Sequence, residues 1–250
     1  MLLMLGISCA NPPSMDTPPP VSELKDASHV KESVDQKKIQ ETALPLREGL
    51  VDVQSLNDKI LVDLKYSGPD NFTKVQLYFK ITKAYLQKEV GEKLALAQTI
   101  LNETHPDYHL LIYDAIRPRE VQYRMWEALD SIPVYQRVKF VSNPRNGSIH
   151  NFGAAVDLTI CDAQGVPLDM GAGYDDPNKI AYPSMERRFL KTGELLPIHV
   201  QNRELLRSVM RKSGFSGITT EWWHFDACSR AQARAKYPII EKEDDIFVTQ

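Results

Sequence analysis

The sequence predicts an α+β fold in which helices flank a central, mostly antiparallel sheet. Short apolar runs suited to strands are separated by segments with helical periodicity. The two kinds of segment do not alternate strictly, as they would in a doubly wound parallel sheet. Of the 250 residues, 42% are hydrophobic and 25% are charged, which is typical of a globular protein with a sizeable core.

The segments that we predict as strands are apolar, or alternate between apolar and polar side chains. They are residues 60–66, 109–113, 155–160 and 219–225. In the third of these segments, Val156, Leu158 and Ile160 share one face. Asp157 must therefore point to the other side of the sheet, where a carboxylate needs a partner or water.

The segments that we predict as helices carry apolar residues at helical spacing. Residues 88–103 form an amphipathic helix. Arg117-Pro118 opens a second helix, because proline is favoured in the first helical turn. Asn202 is the predicted N-cap of a third helix, which Gly214 ends.

Residues 1–45 have the composition of a signal-like segment and a Pro-rich linker. The apolar residues 1–7 precede Cys9, an order similar to the end of a bacterial lipoprotein signal in which that cysteine is acylated. We expect an exported protein, periplasmic or anchored in the membrane through Cys9, and a cytoplasmic one if this segment is not a signal. Residues 46–243 would form one domain, and residues 244–250 a C-terminal tail.

The charge balance and the cysteine count exclude two classes of protein. The chain has 33 acidic and 30 basic side chains, mixed throughout, and a formal net charge of -3. Nucleic acid is not expected as a partner, because proteins that bind it usually present a basic face. Three cysteines are too few for a disulfide framework.

Two short segments carry side chains that could do chemistry. In the first, His150 lies seven residues before Asp157, a spacing that would place it on the opposite face of a straight strand. Gly153 lies between them and allows a bend, so that both side chains could converge. In the second segment, Glu221 and His224 are three residues apart and flanked by aromatic side chains that exclude water.

Two histidines and one carboxylate, with a fourth position open, form a catalytic zinc site. We expect His150, Asp157 and His224 to bind one Zn²⁺ and Glu221 to act as the base. The residues alone leave open which carboxylate is the ligand and which is the base. Zinc lowers the pKa of bound water to about 7, so hydroxide is available at neutral pH. The donor set also suits other divalent transition ions.

Arg117 is the third element of the candidate site. Pro118 holds it in an extended conformation after a strand, where a guanidinium can donate paired hydrogen bonds to an oxyanion or a carboxylate. The alternative is an ion pair between Arg117 and either Asp114 or Glu120.

Two further pairs of residues lie near these segments. We expect one of Trp222 and Trp223 in the core and the other against the substrate. Cys161 and Cys228 each follow a candidate ligand by four residues. If their strands were parallel, the two cysteines would face each other and could form a disulfide. In the commoner antiparallel pairing they would lie at opposite ends, so we expect no disulfide between them.

These residues carry a resemblance to a known family. The pattern Ser-x-His-x-x-Gly-x-x-x-Asp at residues 148–157, followed by Glu-x-Trp-His at residues 221–224, resembles the zinc D-alanyl-D-alanine dipeptidases of the vancomycin-resistance (VanX-like) type. That family belongs to a larger group of D,D-peptidases with the same metal-binding core. Further segments that resemble the family are residues 62–66, 70–73, 113–118, 169–171 and 174–175.

The resemblance implies a role for each candidate residue. The zinc ligands would be His150, Asp157 and His224. Glu221 would be the general base and acid, and Arg117 would stabilise the tetrahedral oxyanion. The positions that would shape a small closed pocket around the dipeptide termini are Tyr66, Ser148 and Asp175. The negative charge of Asp175 suits the substrate ammonium, and the reaction would be hydrolysis of D-Ala-D-Ala to two D-alanines.

Two other functions remain open from the sequence. A carboxypeptidase or endopeptidase with the same metal core would trim peptidoglycan stem peptides, which would suit an exported enzyme. A non-catalytic wall-binding module would retain only the fold, and the intact set of candidate residues argues against it. A dipeptidase should reject a substrate whose amino group is blocked, whereas a carboxypeptidase should accept it.

Overall fold

The computed structural model describes residues 45–248. The predicted signal-like segment, the acylation expected at Cys9 and almost all of the predicted linker lie outside these described residues. Within residues 45–248, none of the helices combines the length and the hydropathy that crossing a membrane requires.

The secondary structure consists of short strands, two long helices and several short helical segments. The strands are β1 (Leu50–Asp52), β2 (Leu61–Val62), β3 (Tyr85–Gln87), β4 (His109–Asp114), β5 (Ala155–Cys161), β6 (Ser216–Gly217) and β7 (His224–Asp226). The α-helices are α1 (Val53–Leu56), α2 (Lys88–Thr104), α3 (Arg119–Ala128), α4 (Val134–Arg137), α5 (Glu186–Thr192), α6 (Pro197–Lys212) and α7 (Arg230–Lys236). The 3₁₀ helices are Lys65–Ser67, Ile149–Phe152, Lys179–Ala181, Pro183–Met185 and Glu243–Ile246.

The strands form a two-stranded sheet of β1 and β3 and a five-stranded sheet in the order β2-β4-β5-β7-β6. In the larger sheet β2 and β4 are parallel, and the other neighbouring strands are antiparallel. The central strand is β5, which pairs with β4 on one side and with β7 on the other. The predicted α+β class with a mostly antiparallel sheet is confirmed.

The central strand β5 is buried along its whole length. Val156 and Leu158 belong to an apolar core that α2 and α6 complete with side chains such as Leu94 and Leu206. Side chains alternate along a strand, so Asp157 is directed to the opposite face. The larger core therefore lies on one side of β5, and the carboxylate lies on the other.

A second apolar cluster lies beside the sheet and joins α3, the loop before β3 and the C-terminal 3₁₀ helix. Its buried members include Tyr66, Tyr78, Met125 and Ile246. The rings of Tyr66 and Tyr78 meet edge to face, with their centroids 5.8 Å apart. This cluster holds in place two tyrosines whose hydroxyl groups donate hydrogen bonds to Asp175 and Asp114.

The third predicted helix begins at Pro197 and not at Asn202. Proline is preorganised for the first helical turn, and His199 Nδ1 accepts a hydrogen bond from the N–H of Leu196 (3.1 Å) at this end. Asn202 lies inside the helix, where its Nδ2 donates to the carbonyl oxygen of Asp169 (2.8 Å). The predicted N-cap is therefore wrong, because the earlier proline starts the helix.

The first predicted strand, residues 60–66, is shorter in the structure. Only Leu61–Val62 pairs with β4, and Lys65–Ser67 forms a 3₁₀ helix instead. The backbone of Tyr66 leaves the sheet, and its carbonyl oxygen accepts hydrogen bonds from the N–H groups of residues 77 and 78 (both 2.9 Å). Tyr66 therefore belongs to the second apolar cluster and does not take part in the hydrogen bonding between β2 and β4.

The last predicted strand, residues 219–225, is also shorter. β7 begins at His224 and continues to Asp226. The indole Nε1 of Trp222 donates to the carbonyl oxygen of Ala172 (3.1 Å). Ala172 lies in a loop and belongs to neither sheet. The residues before His224 therefore form a loop.

The residues at the C-terminal end pack onto the domain. The predicted tail, residues 244–250, begins inside the 3₁₀ helix Glu243–Ile246, and Ile246 is fully buried. Phe247 forms an antiparallel bridge with Leu46. Residues 244–248 are therefore part of the folded unit and do not form a tail.

The two cysteines in the described part of the chain are both free thiols. β5 and β7 are antiparallel, and this is the pairing for which we expected no disulfide between Cys161 and Cys228. Cys161 is buried and Cys228 is half-buried, and no disulfide joins them.

Glu243 joins the C-terminal segment to the loop that carries Tyr78. Its Oε2 accepts hydrogen bonds from the N–H groups of residues 79, 80 and 81 (2.9, 2.7 and 3.2 Å). Its Oε1 accepts a hydrogen bond from Arg124 (2.7 Å). Burial alone would raise the pKa of this carboxyl, but the hydrogen bonds outweigh burial and lower the pKa.

The substitution Glu243→Gln keeps the shape of the side chain and removes its charge. We expect the free energy of unfolding at pH 7, measured by urea denaturation, to fall by about 1–3 kcal/mol. A carboxyl whose pKa is lowered by folding stabilises the fold above its unfolded-state pKa, and this stabilisation is lost as the pH falls through the folded-state pKa. The difference between the two proteins should therefore shrink as the pH falls below the ordinary glutamate value of 4.5.

Glu241→Gln is the matched control for this prediction. Glu241 pairs with Arg119 (3.3 Å), but its side chain is half exposed. We expect this substitution to change the free energy of unfolding by less than about 1 kcal/mol. Equal effects of both substitutions, or an effect of Glu243→Gln that does not depend on pH, would contradict the role of Glu243.

Candidate metal centre

His150 is held by the turn that precedes β5. Ser148 caps the 3₁₀ helix Ile149–Phe152, since its Oγ accepts a hydrogen bond from the N–H of His150 (3.1 Å). Gly153 ends this helix with a left-handed backbone (φ 64°), a conformation that favours glycine. The bend predicted at Gly153 is therefore present, and it lets the imidazole reach the face of the sheet that carries Asp157.

Strand register brings Asp157 and His224 together. They lie opposite each other on the antiparallel strands β5 and β7, so their side chains share one face. His224 Nδ1 lies 2.9 Å from Asp157 Oδ1, and His150 Nε2 lies 3.3 Å from the same oxygen. The two imidazole nitrogens are 3.1 Å apart. The structure thus brings together all three predicted ligands.

The arrangement of these three atoms fits a zinc ion. In a tetrahedral site with bonds of about 2.0–2.1 Å, neighbouring ligand atoms are roughly 3.3 Å apart, close to the distances seen here. Two imidazoles and one carboxylate are also the donor set of catalytic zinc sites, in which a fourth position is left for water or substrate.

The outer nitrogen of each imidazole has its own hydrogen-bond partner. His150 Nδ1 donates to the carbonyl oxygen of Ala115 (2.7 Å), so its Nε2 presents a lone pair to the metal position. His224 Nε2 donates to Asp226 Oδ1 (3.0 Å), which leaves Nδ1 for the metal. Partners of this kind orient metal-binding histidines and raise their basicity.

The charges around the three ligands favour a cation. Burial alone would lower the pKa of His224, but Asp157 and Asp226 raise the pKa well above its usual value. Burial alone would raise the pKa of Asp157, but the two imidazoles lower it well below its usual value. The negative charge of the carboxylates therefore stabilises a positive charge beside the two imidazoles, and a divalent ion would supply that charge.

Arg117 lies beside the ligands in a buried network of ion pairs. Its Nε donates to Asp114 Oδ2 (2.7 Å), and its Nη2 lies 2.5 Å from the same oxygen and 3.3 Å from Asp157 Oδ2. The ion pair with Asp114 that the sequence left as an alternative is therefore present. It holds the guanidinium beside the metal ligands, and the oxyanion role stays a prediction. Glu120 pairs with Arg124 instead (3.3 Å).

Glu221 and Arg117 line the same cavity as the three ligands. The cavity has a volume of about 400 Å³, at the lower end of the range of about 300–1,000 Å³ for ligand pockets. Burial raises the pKa of Glu221, which suits a group that takes up a proton and returns it. Trp223 lines this cavity and Trp222 does not, although both side chains are buried.

The residues that the resemblance implies for substrate binding line the same cavity. The hydroxyl of the buried Tyr66 donates to Asp175, whose two oxygens lie 3.2 and 3.0 Å away. Asp175 has a left-handed backbone (φ 60°), which few residues other than glycine adopt. Burial and the charge of Asp157 raise the pKa of Asp175 well above its usual value. Ser148 is buried in the cavity wall.

Sequence reasoning missed two residues that contact the ligands. Asp226 lies two residues after His224 on the same strand, so the period of a strand could have placed both on one face. Tyr174 lies in a loop, and its hydroxyl is 3.2 Å from Asp157 Oδ2. No periodic pattern could have found this second contact.

The substitution Asp226→Ala removes the partner of His224 and leaves the three ligands in place. We expect the affinity for zinc, measured by competition with a chromogenic chelator, to fall by about 10–100-fold. Asp169→Ala is the matched control, because Asp169 makes a similar contact with His199 Nε2 (3.1 Å) away from the metal centre. If both substitutions weaken zinc binding equally, the effect comes from general destabilisation and the prediction fails.

Known proteins resemble this chain over most of its length. A family model described as peptidase M15, D-ala-D-ala dipeptidase, matches residues 47–242. The D-alanyl-D-alanine dipeptidase of Escherichia coli (strain K12) is 34% identical over 200 residues, which cover 80% of this chain and 93% of the relative. The D-alanyl-D-alanine dipeptidase of Enterococcus faecium is 28% identical over 177 residues, covering 65% of this chain and 83% of the relative.

A solved structure of the LdcB LD-carboxypeptidase aligns with 76% of this chain and 72% of its own, with a TM-score of 0.42 and 16% identity. The family match includes every candidate ligand, the candidate base and the arginine. From this match and the E. coli relative, the chain belongs to the peptidase M15 family of D-Ala-D-Ala dipeptidases.

Proposed function

We propose that the protein hydrolyses D-Ala-D-Ala to two D-alanines in a zinc-dependent reaction. The observation that carries this proposal is a single small cavity lined by the three candidate ligands, Glu221, Arg117 and the Tyr66–Asp175 pair. The family and the dipeptidase relatives support the same substrate. The contacts of each group match a part in that reaction.

His150, Asp157 and His224 would hold the zinc ion. When bound, zinc supplies a Lewis acid and lowers the pKa of water to about 7, which makes hydroxide available at neutral pH. With the ion bound, the inner nitrogens would carry no hydrogen, while the outer nitrogens donate to the carbonyl oxygen of Ala115 and to Asp226.

The contacts support Asp157 as the ligand and Glu221 as the base. One oxygen of Asp157 lies within 3.3 Å of both imidazole nitrogens. The carboxylate of Glu221 makes no hydrogen bond or ion pair with any residue in the range 45–248, so its oxygens are available to a water molecule. Its raised pKa suits acceptance of a proton from that water and its return to the leaving amine.

Arg117 is held in position to stabilise negative charge. Its Nε and Nη2 are occupied by Asp114 and Asp157. Its Nη1 makes no hydrogen bond with the described residues, and the side chain lines the cavity. A fixed guanidinium with N–H groups left over can donate to the oxyanion of a tetrahedral intermediate.

The Tyr66–Asp175 pair suits the free ammonium of a dipeptide. Asp175 is a carboxylate whose pKa is raised by burial, so an ammonium would stabilise its charged form. Tyr66 directs its hydroxyl to that carboxylate and limits the positions it can take. This pair supports a substrate with a free amino group over one whose amino group is blocked.

The decisive test is hydrolysis of free D-Ala-D-Ala beside N-acetyl-D-Ala-D-Ala by the zinc-loaded full chain. We expect D-alanine release from the free dipeptide only, and a rise in KM of about 10–100-fold in Asp175→Asn, because a hydrogen bond to a charged group is lost. Cleavage of the acetylated substrate would replace the proposal with a carboxypeptidase. Cleavage of neither would contradict both and leave the wall-binding module.

Two variants connect any observed hydrolysis with this cavity. Glu221→Gln should lower kcat by about 10²–10⁴-fold and still bind zinc, because it removes a general base and no ligand. Glu92→Gln is the control, since Glu92 is exposed on α2 away from the cavity. Full activity in Glu221→Gln would mean that a contaminating enzyme or another base is responsible.

We also propose that the protein is exported, acylated at Cys9 and active on cell-wall material. The apolar residues 1–7 before Cys9 and the Pro-rich stretch after it support this proposal. We expect labelled palmitate to be incorporated into the full chain and lost in Cys9→Ser. Cys228→Ser should keep the label, and an unlabelled parent chain would rule the acylation out.

A further inference from the structure

The hydroxyl of Tyr174 lies between the metal ligands and the Tyr66–Asp175 pair. It is 3.2 Å from Asp157 Oδ2 and 3.0 Å from the hydroxyl oxygen of Tyr66. The residue also comes directly before Asp175 in the chain. One hydroxyl group therefore contacts both halves of the proposed active site.

The two oxygens of Asp157 have different neighbours. Oδ1 faces the nitrogens of His150 and His224. Oδ2 lies 3.3 Å from Arg117 Nη2 and 3.2 Å from the Tyr174 hydroxyl. Two donors on Oδ2 hinder rotation of the carboxylate and leave Oδ1 as the oxygen directed at the metal position.

The hydrogens of the two tyrosines can be assigned from their partners. A tyrosine hydroxyl donates one hydrogen, and its oxygen can accept another. Tyr66 donates to Asp175, so its oxygen is left as an acceptor. Tyr174 can donate to Tyr66 or to Asp157, and the ionised carboxylate is the stronger acceptor. With that hydrogen on Asp157, no hydrogen lies between the two tyrosine oxygens, which are 3.0 Å apart, and a lone pair on each oxygen remains for the ammonium that Asp175 would bind.

The ring of Tyr174 is held independently of its hydroxyl. Its centroid lies 4.9 Å from that of Tyr113 and 5.4 Å from that of Trp223, the latter edge to face. A phenylalanine would keep these contacts. Removing the hydroxyl alone therefore separates its hydrogen bonds from the packing of the loop.

We propose that the Tyr174 hydroxyl is a positioning group that couples the metal ligand Asp157 to the Tyr66–Asp175 pair. Its hydrogen is donated to Asp157, and its oxygen accepts from the ammonium of a bound dipeptide, so metal binding and dipeptide binding depend on the same hydroxyl group. The dipeptide half of this inference rests on the proposed function, because only a substrate with a free ammonium would use that pair. The metal half rests on the contacts of Asp157 alone.

The test is the substitution Tyr174→Phe in the full chain. We expect the zinc affinity of the metal-free protein, measured by chelator competition, to fall by about 10–100-fold. At saturating zinc we expect KM for D-Ala-D-Ala to rise about tenfold, with kcat little changed, because binding before the reaction is weakened. The coupling is overturned if only the zinc affinity changes, if only KM changes, or if both stay at the values of the parent protein.

Tyr113→Phe is the matched control. Its ring packs on that of Tyr174, but its hydroxyl makes no hydrogen bond within residues 45–248. Zinc affinity and KM should both match the parent protein, and equal losses in the two variants would overturn the inference by showing that packing is responsible.

A double substitution tests whether the two tyrosine oxygens act on one ammonium. In a Tyr66→Phe background, Tyr174→Phe should still weaken zinc binding, and its effect on KM should differ from its effect in the parent protein, because both oxygens accept from the same group. Independent effects on KM in the double variant would overturn this part. If the parent protein hydrolyses no dipeptide, the proposed function fails, and the zinc affinities of Tyr174→Phe and Tyr113→Phe still decide the metal half.

Discussion

The register between β5 and β7 is the constraint on which the site depends. Asp157 lies opposite His224, and the neighbouring pair, Val156 and Phe225, is buried in the core. A slip of one residue would turn the apolar pair toward the cavity and the ligands toward the core. Hydrophobic packing on one face of the sheet therefore enforces the position of polar groups on the other.

The second constraint is the balance of charge in the cavity, because several carboxyl groups lie close together there. Those at or next to the metal centre are Asp114, Asp157, Asp175, Glu221 and Asp226. Buried carboxylates are costly unless they are paired, and the buried cation among them is Arg117. Tyr78 donates a hydrogen bond to Asp114 Oδ1, the oxygen that is not paired with Arg117. A divalent ion at the three ligands completes this balance, so the same charges that recruit the ion would destabilise the fold without it.

Local sequence patterns were sufficient to predict the helices and strands whose formation depends on residues that are close in the chain. The amphipathic helix over residues 88–103 and the apolar strand over residues 109–113 match α2 and β4 within one residue. The convergence of His150 with Asp157 followed from the glycine between them. The loop residue Tyr174 could not be placed in this way, because a contact between a loop and a strand depends on tertiary packing that periodicity does not encode.

The cavity is assembled from residues that lie far apart in the chain, from Tyr66 to Arg230. An unfolded or partly folded chain therefore offers the ion and the dipeptide no complete site. A ligand that binds only the native state shifts the folding equilibrium toward it by mass action, to an extent set by its concentration relative to its dissociation constant. Metal supply and substrate supply thus act on the abundance of the folded protein as well as on its rate of reaction.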